Sequence, residues 1–327
     1  MNGLYPLKFK PIFREKIWGG NKIKSILNKD PGNILNCGES WEISTVEDFV
    51  SEVANGFLAG NYLNELVEIY MGDLVGEKVY QKYGNEFPLL LKFIDAARDV
   101  SIQVHPNDSI AKERHNAYGK SEMWYIINAE NKSLINPGFN QPVTREKFLD
   151  FVSKGKLMDL LKFDNVSPGD AYFVPAGQVH SIGKGVLLAE IQQISDVTYR
   201  ISDFDRKNAE GNKRELHIDW AVDAINYDLR EDSKINFNAE KNNSTELVCC
   251  NYFTTNILEF NKKIDKDYNQ IDSFIIYMNL EGDFLINYEK GSELVKKGET
   301  ILIPACLETF QLIPISSEIK TLEVYIK

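Results

Sequence analysis

Short apolar runs divide the first third of the chain into one helix and several strands. Residues 61–70 carry leucine, valine and tyrosine at helical spacing, which predicts a helix with one buried face. Residues 89–94 and 100–104 are short continuous apolar runs, which are typical of buried strands, and the polar residues 95–99 separate them. Two strands therefore lead into the segment SIQVHPND, residues 101–108.

Three further helices are predicted within a strand-rich chain. Residues 108–117 indicate a short helix that begins on an aspartate cap. Residues 144–162 predict a helical insertion behind a cap signal at Thr144, with Gly155 as its weak point. The pattern of residues 214–225 predicts the last helix, and the final eighty or so residues are almost wholly strand and turn.

An internal repeat organises the second half of the chain. Segment 166–182 aligns without a gap on segment 295–312, and each copy follows an aromatic strand, residues 122–127 or 273–278. The aligned pairs are Val166 with Val295, Gly169 with Gly298, Asp170 with Glu299, Pro175 with Pro304 and Ala176 with Ala305. A glycine–acid turn followed by proline marks a hairpin, so we expect two copies of one β-unit.

The repeat and the strand pattern together predict a mainly β fold. Gly169, Pro175, Gly177 and His180 have the spacing of the second cupin motif, a hairpin that directs its last histidine into a barrel. We expect two cupin-type jelly-roll units with a helical insertion.

The second copy lacks the residues for a metal site. Thr309 stands opposite His180, and no histidine occurs in that copy. We therefore expect a catalytic cupin domain over residues 1–240, with the helical insertion near 144–162. Residues 241–327 should form a C-terminal cupin-like domain without metal ligands that covers one face of the catalytic barrel.

Charge and cysteine usage exclude several classes of partner. A net charge of −11 argues against nucleic acid or an anionic membrane as a partner, since either would need a basic face, and an anionic substrate would need a locally positive pocket. No apolar run approaches the ~20 residues of a membrane helix. The four cysteines lack framework spacing and no signal peptide opens the chain, so we expect reduced thiols in a cytoplasmic protein. Its oligomeric state stays open.

A candidate metal site can be assembled from three separate segments. Gln103 and His105 are two residues apart on a strand, so both side chains point to the same face. Glu122 opens the next strand, and His180 ends the second cupin motif. These four residues offer two imidazole nitrogens, a carboxylate oxygen and an amide oxygen, leaving one position for water or substrate.

The ligand types favour Lewis-acid chemistry. One carboxylate and three neutral ligands leave a bound divalent ion with a charge of about +1, which can stabilise a developing oxyanion. We expect one Zn²⁺ per chain, since zinc is redox-silent, although the ligand types alone also admit iron, manganese or cobalt. His115 and His217 are expected at the surface or on a helix.

Seven stretches of the chain resemble one enzyme family in the right order. They are KIWGG (16–20), GESWEIS (38–44), PLLLKFIDA (88–96), SIQVHPND (101–108), GKSEMWYII (119–127), VPAGQVHSIG (174–183) and SDVTYR (195–200). With them the chain resembles the type I phosphomannose isomerases, the cupin mannose-6-phosphate isomerases, and most closely their short bacterial branch.

The resemblance implies roles for particular residues. It carries the family's metal ligands onto the same four residues that spacing indicates. It also implies a catalytic role for Arg200, Lys120 and Glu190, and contact with the sugar phosphate by Ser101, Lys92 and Trp18. Either Glu190 or Lys120 would be the general base.

Two departures from the family limit what the resemblance implies. Longer members carry a histidine directly before the position of Lys120, where this chain has Gly119, so ring opening by that histidine cannot apply here. The residues directly before Arg200 also differ from those of the family. The arginine itself is kept, but the segment that leads its side chain toward the site is altered.

The resemblance implies reversible conversion of mannose 6-phosphate into fructose 6-phosphate through a cis-enediolate. Two alternatives stay open: an isomerase of another phosphorylated aldose, which would keep every zinc ligand, and a cupin that binds sugar or metal without turnover, against which the intact ligands with Lys120 and Arg200 argue. For Arg200 the sequence also allows an ordinary ion pair with a neighbouring aspartate, Asp196 or Asp203.

Overall fold

The computed structural model describes residues 3–207, 211–228 and 233–327. The helices in these ranges are α1 (Lys22–Ser25), α2 (Leu63–Val75), α3 (Glu77–Tyr83), α4 (Asp108–His115), α5 (Arg145–Ser153) and α6 (Ile218–Ala224). The strands before residue 240 are β1 (Leu7–Lys8), β2 (Ile12–Gly20), β3 (Cys37–Ile43), β4 (Thr45–Val46), β5 (Phe49–Val50), β6 (Leu89–Ala96), β7 (Ile102–Val104), β8 (Glu122–Ala129), β9 (Leu134–Asn136), β10 (Asp164–Asn165), β11 (Ala171–Val174), β12 (Ser181–Ile182), β13 (Val186–Gln193), β14 (Tyr199–Ser202) and β15 (Lys234–Ile235). The later strands are β16 (Ser244–Cys249), β17 (Thr254–Phe260), β18 (Ile264–Asp267), β19 (Ile275–Glu281), β20 (Phe284–Tyr288), β21 (Gly291–Val295), β22 (Thr300–Ile303), β23 (Thr309–Pro314) and β24 (Ile319–Tyr325).

The first jelly roll is built on a seven-stranded antiparallel sheet in the order β15-β11-β8-β13-β6-β3-β2. Its inner face packs against the short strands β9 and β12 in one apolar cluster. The pair β7–β14 completes this second layer, and an isolated bridge between Gln103 and His180 joins it to the strand that continues into β12. The mainly β architecture expected from the strand pattern is confirmed.

The outer face of the same sheet is also buried. Alternate residues of β6 and β13, including Leu91 and Ile191, pack in one large core with α2 and with strands of the C-terminal unit such as β19 and β24. The C-terminal unit therefore lies against the back of the first sheet. Burial on both faces explains why β6 and β13 are nearly continuous apolar runs and lack the alternation of a half-exposed strand.

The C-terminal unit repeats the hairpin of the first unit. Gly169 and Gly298 both have positive φ, 95° and 80°, and a strand starts two residues after each glycine. The amide of Gly169 donates to a carbonyl of β8, and that of Gly298 donates to a carbonyl of the equivalent strand β19. The repeat seen in the sequence is thus the same turn used twice.

One strand crosses the domain boundary expected near residue 240. β1, close to the N-terminus, pairs with β22 and so extends the six-stranded sheet of the C-terminal unit. The boundary itself stays a prediction.

The predicted helices differ from the observed ones at their ends. The residue that caps α4 is Asn107, whose side chain accepts from the amide of Ile110, so the expected aspartate cap was one residue late. Thr144 caps α5 as expected, but α5 ends before Gly155, which has a φ of +67°. The segment 144–162 is therefore a helix followed by a short 3-10 turn at Leu157–Leu160.

The helix expected over residues 214–225 was wrong in its first turn. α6 begins only at Ile218, because the preceding residues make contacts with β14 and with Asp203, which directly follows β14. Arg214 binds Asp203, and the Nδ1 atom of His217 accepts from the amide of Arg200. These contacts draw residues 214–217 along β14 in an extended path.

No helix within the described ranges combines the length and the apolar character that crossing a membrane requires.

Thr309 should be dispensable, whereas the buried charge of the C-terminal unit should not. The side chain of Thr309 is exposed, so Thr309→Ala should leave the free energy of unfolding within about 0.5 kcal/mol of the parent value. Glu323 is buried and accepts from Asn256 and Lys266, so Glu323→Ala should lower the free energy of unfolding by about 3–5 kcal/mol. Urea denaturation of both variants measures this, and equal stability of the two would contradict it.

Candidate metal centre and pocket

The polar residues of the site lie on the inner face of the seven-stranded sheet. On β8, Met123 and Tyr125 belong to the outer core, so Glu122 and Trp124 point inward. On the neighbouring strands β6 and β13, Lys92 and Glu190 occupy the same inward face and are paired in register. A polar residue inside these apolar strands therefore projects into the barrel.

Three potential metal ligands converge at one end of this face. The ligand atoms of His105, Glu122 and His180 all lie within 4.8 Å of one another, and all three side chains are buried. Nε2 of His105 lies 3.2 Å from Oε1 of Glu122, and Nε2 of His180 lies 3.7 Å from Oε2. The antiparallel bridge between residues 103 and 180 brings the two histidine-bearing segments together.

Both imidazole rings are oriented by their other nitrogen. Nδ1 of His105 lies 2.8 Å from the carbonyl oxygen of Val197, and Nδ1 of His180 lies 2.8 Å from that of Gln178. A carbonyl can only accept, so each Nδ1 carries the proton and each Nε2 presents its lone pair to the cluster. Burial, reinforced by the Lys120 ammonium, lowers the pKa of His105 to about 3, and burial likewise lowers the pKa of His180. Both rings are thus neutral, as metal ligation requires.

Gln103 lies beside the histidines but presents its nitrogen to them. Its Nε2 is 3.2 Å from Nε2 of His180 and 3.5 Å from Nε2 of His105, while Ser101 donates to its Oε1. Ligation through the amide oxygen requires the opposite orientation of this amide.

The carboxylate of Glu122 has the character of a ligand. Among the described residues no donor is aligned to form a hydrogen bond with either of its buried oxygens. Nζ of Lys120 lies 2.9 Å from Oε1, which is an ion-pair contact without hydrogen-bond alignment. Burial opposes ionisation of Glu122, but the Lys120 ammonium and the facing rings of His105 and His180 together outweigh it and hold the pKa well below its usual range. An ionised carboxylate with unused lone pairs, facing two neutral imidazoles, fits a divalent cation.

A pocket of about 270 Å³ opens beside the ligand cluster. Its lining residues are Lys16, Trp18, Glu39, Lys92, Ile94, Val100, Ser101, Gln103, Lys120, Trp124, Ile182, Glu190, Asp196, Thr198, Arg200 and Arg214. Five of them are cationic and three are carboxylates. The pocket is therefore locally positive in a protein with a net charge of −11, which is the condition that an anionic substrate imposes.

Glu190 and Lys92 form a buried pair in the wall of this pocket. Nζ of Lys92 lies 3.4 Å from Oε1 of Glu190, and the indole of Trp124 donates to Oε2 at 3.0 Å. Burial and the nearby charge of Glu122 raise the pKa of Glu190. By contrast, burial of Glu39 is outweighed by the Lys92 ammonium and other donors, which lower its pKa. Of these two carboxyl groups, Glu190 is therefore the one better suited to take up a proton.

The guanidinium group of Arg200 is bonded to a backbone carbonyl. Its Nη1 donates to the carbonyl of Glu215 at 2.9 Å, and its Nε is buried without a hydrogen-bond partner among the described residues. Asp203, one candidate for an ion pair with it, is bound instead by Arg206 and Arg214. Burial, together with these neighbouring guanidinium groups, lowers the pKa of Arg200.

The structure brings all the residues singled out in the sequence to one place. Seven of them line the pocket, and His105, Glu122 and His180 form the ligand cluster at its end. The sequence reasoning missed Lys16, Glu39 and Arg214. The first two lie in the stretches KIWGG and GESWEIS and could have been found there, whereas Arg214 was hidden by the mistaken helix.

Gly119 has a steric reason to be glycine. A Cβ atom there would lie 2.6 Å from the backbone nitrogen of Asp108 and 2.8 Å from the carbonyl carbon of Asn107. These are backbone atoms at the start of α4 and cannot swing away, so a histidine at this position would displace the loop.

The fold and the site define a class: a two-unit cupin with a candidate metal centre beside a positive pocket. Comparison with known proteins makes the class specific. Residues 6–132 match the model of the phosphomannose isomerase type I catalytic domain. Mannose-6-phosphate isomerase ManA of Bacillus subtilis is 37% identical over 94% of this chain and 95% of its own length. Mannose-6-phosphate isomerase of Streptococcus mutans is 32% identical over 94% of each chain.

A solved structure agrees with these relatives. The crystal structure of mannose 6-phosphate isomerase from Bacillus subtilis superposes with a TM-score of 0.88 at 32% identity, covering 99% of this chain and all of that one. The chain therefore belongs to the type I phosphomannose isomerase family and is an isomerase of the mannose-6-phosphate class.

Removing the buried ammonium of Lys92 should destabilise the protein. Lys92→Met leaves Glu190 and Glu39 buried without that cation, so the free energy of unfolding should fall by about 3–5 kcal/mol at neutral pH. In the variant Glu190 takes up a proton more readily, so its folded-state pKa exceeds the unfolded value near 4.3. Stability of the variant should then fall as pH rises from that value through the folded pKa.

Urea denaturation at several pH values measures the effect of Lys92→Met. Lys184→Met, at an exposed lysine, is the matched control and should change stability by at most about 0.5 kcal/mol. A loss as small as that of the control would contradict a buried pair at Lys92.

Proposed function

We propose that the protein interconverts mannose 6-phosphate and fructose 6-phosphate through a cis-enediolate, at a zinc-dependent centre. Gln103, His105, Glu122 and His180 would hold one Zn²⁺ per chain. The observation that carries this proposal is the single pocket in which the ligand cluster, a carboxyl group of raised pKa and five cationic side chains meet.

The donor set supports zinc. It consists of two neutral imidazoles, one carboxylate and one amide, with no thiolate, and it lies beside a pocket that substrate can enter. When bound, the ion would supply Lewis acidity that stabilises negative charge on the sugar oxygens. Glu122 forms an ion pair with the Lys120 ammonium. A bound dication would also pair with Glu122 and would therefore weaken that ion pair.

The sugar phosphate would be held by the positive wall. The hydroxyl of Ser101 and the ammonium of Lys92 are placed to meet anionic oxygens, and Arg214, fixed by its two bonds to Asp203, adds a second guanidinium beside Arg200. The buried indole of Trp18 offers an apolar surface to the C–H face of the sugar.

Proton transfer between C2 and C1 is assigned to Glu190. Its raised pKa allows it to take a proton from one carbon and return it to the other, and Trp124 fixes the orientation of its carboxyl group. Lys120 would then act as a hydrogen-bond donor to the substrate oxygens. Burial opposes its charge, but Glu122 and Glu190 outweigh burial and raise its pKa, so it is protonated.

Arg200 would stabilise the enediolate. Nη1 of its guanidinium donates to the carbonyl of Glu215, and its backbone amide donates to Nδ1 of His217, so the remaining guanidinium donors keep a fixed direction as negative charge develops. A donor of this kind lowers the barrier without reorganising during the reaction.

Metal content tests the ligand set. Purified protein should carry about one zinc per chain, and His105→Ala or His180→Ala should lose both metal and activity, because each removes one of four ligands. His115→Ala, whose ring contacts Tyr199 outside the cluster, is the control and should keep its metal. Elemental analysis of His180→Ala with stoichiometric zinc would exclude the proposed ligand set, and a chelator without effect on turnover of mannose 6-phosphate would exclude metal dependence.

Glu190→Gln tests the proton carrier. The amide keeps the shape but cannot accept a proton, so kcat should fall by about 10²–10⁴-fold and exchange of the C2 proton with deuterated solvent should slow in parallel. Lys120→Gln should slow turnover through loss of its hydrogen bonds while some proton exchange persists. The reverse pattern, exchange abolished only in Lys120→Gln, would assign the base to Lys120.

Arg200→Ala separates three roles by steady-state kinetics. A group that meets the enediolate strengthens its contact in the transition state, so kcat should fall by roughly a hundredfold with a modest change in KM. Arg200→Lys should rescue little, since an ammonium lacks the planar fork. A raised KM with unchanged kcat would indicate phosphate binding. Constants within about twofold of the parent, as for an exposed ion pair, would remove Arg200 from the reaction.

A further inference from the structure

Asp108, the last residue of the HPND segment, lies outside the metal cluster. Asp108 is the first residue of α4, and its carboxylate accepts three hydrogen bonds. Oδ1 accepts from the amide of Gly119 at 2.8 Å and from Nε2 of Gln193 at 2.9 Å, and Oδ2 accepts from the hydroxyl of Tyr252 at 2.7 Å. The partners come from three different parts of the chain.

Each backbone amide of residues 119–121 is held from outside that segment. Gly119 donates to Asp108, Lys120 donates to the carbonyl of Pro106 at 3.2 Å, and Ser121 donates to Oε1 of Gln193 at 2.9 Å. The segment precedes β8, and only Ser121 reaches the sheet ladder, through its carbonyl, which accepts from the amide of Gln193 at 3.3 Å. Side-chain oxygens of Asp108 and Gln193 accept the amide hydrogen bonds that the carbonyls of a neighbouring strand would otherwise accept.

The segment carries the catalytic lysine into the pocket. Lys120 is its middle residue, and Glu122 follows directly. The close approach of Gly119 to the backbone of α4 leaves no room for the segment to shift toward that helix. The contact with Asp108 therefore fixes the N-terminal end of the segment.

The third partner of Asp108 comes from the C-terminal unit. Tyr252 lies in the turn between β16 and β17, and its ring packs at the edge of the large core that joins the two units. A hydrogen-bonded path thus runs from the C-terminal unit through Asp108 to the residue beside Lys120.

We propose that Asp108 is a positioning residue that fixes the segment 119–121, and with it Lys120, and that the C-terminal unit takes part in this through Tyr252. The inference rests on the proposed role of Lys120 in the reaction. On this reading the C-terminal unit does more than cover apolar surface: it sets the geometry of the active site.

Three substitutions separate positioning from charge and from general stability. Asp108→Ala frees the amide of Gly119, so kcat should fall by about tenfold to a hundredfold while KM changes less than about threefold. Asp108→Asn still accepts from Gly119 and Gln193, and its amide can donate to Tyr252, so it should restore kcat to within about threefold of the parent. Tyr252→Phe removes one hydroxyl and should lower kcat by about threefold or more.

Asp272→Ala is the matched control. Asp272 also joins the C-terminal unit to the rest of the chain, by accepting from the amides of Glu77 and Lys78, but it has no contact with the segment 119–121. It should lower the melting temperature and leave kcat unchanged. Melting temperature and metal content are measured for every variant, and all should retain metal because β8 holds Glu122 independently.

A double-mutant cycle gives the decisive readout. If Asp108 acts through Lys120, Asp108→Ala should reduce the residual kcat of Lys120→Met by less than about twofold. The same tenfold or greater loss in both backgrounds, or an Asp108→Ala enzyme with parental kcat, would overturn the proposal. Should Asp108→Ala fail to fold, Tyr252→Phe decides, and parental kcat in that variant would equally overturn it. If Lys120→Met alone is fully active, the proposed function of Lys120 fails first, which the single variant shows without reference to Asp108.

Discussion

Burial of both faces of the seven-stranded sheet is the constraint on which the rest of this structure depends. One face carries the C-terminal unit and α2, and the other faces the barrel interior. Water reaches neither face freely, so a charged residue on the inner face must find a partner or a ligand. Lys92, Glu190 and Glu122 meet that requirement through one another, Lys120 and the imidazoles.

The same constraint creates the chemistry of the pocket. Carboxyl groups that share a buried space cannot all ionise at their usual pH, and their environments divide them. Surrounding cations keep Glu39 and Glu122 charged, whereas burial and the charge of Glu122 raise the pKa of Glu190. Two glutamates of the same pocket, Glu122 and Glu190, are thus suited to different tasks, the first to metal ligation and the second to carrying a proton. The excess of lysine and arginine in the lining makes this the place where an otherwise acidic protein can accept an anion.

The two cupin units show how one hairpin can serve different purposes. Both use a glycine of positive φ, a short strand and a proline, and in both the hairpin pairs with an aromatic strand. Only the first unit carries histidine at its end. The second unit fills its interior with apolar side chains and a satisfied cluster around Glu323, and its sheet lies against the back of the first. Tyr252 of this unit donates to Asp108, whose other carboxylate oxygen accepts from the amide of Gly119.

The sequence by itself determined the β-rich fold, the repeat and the candidate ligands within each segment, because each depends on local spacing. Side chains two apart on a strand share a face, and a glycine–proline hairpin has the same shape wherever it occurs. Tertiary structure alone decided the path of residues 214–217, where contacts of Arg214 and His217 with β14 overrode a helical pattern. It alone also decided which carboxyl group has a raised pKa and which residues meet Asp108, because burial and contacts between residues more than seventy positions apart leave no periodic signal in a sequence.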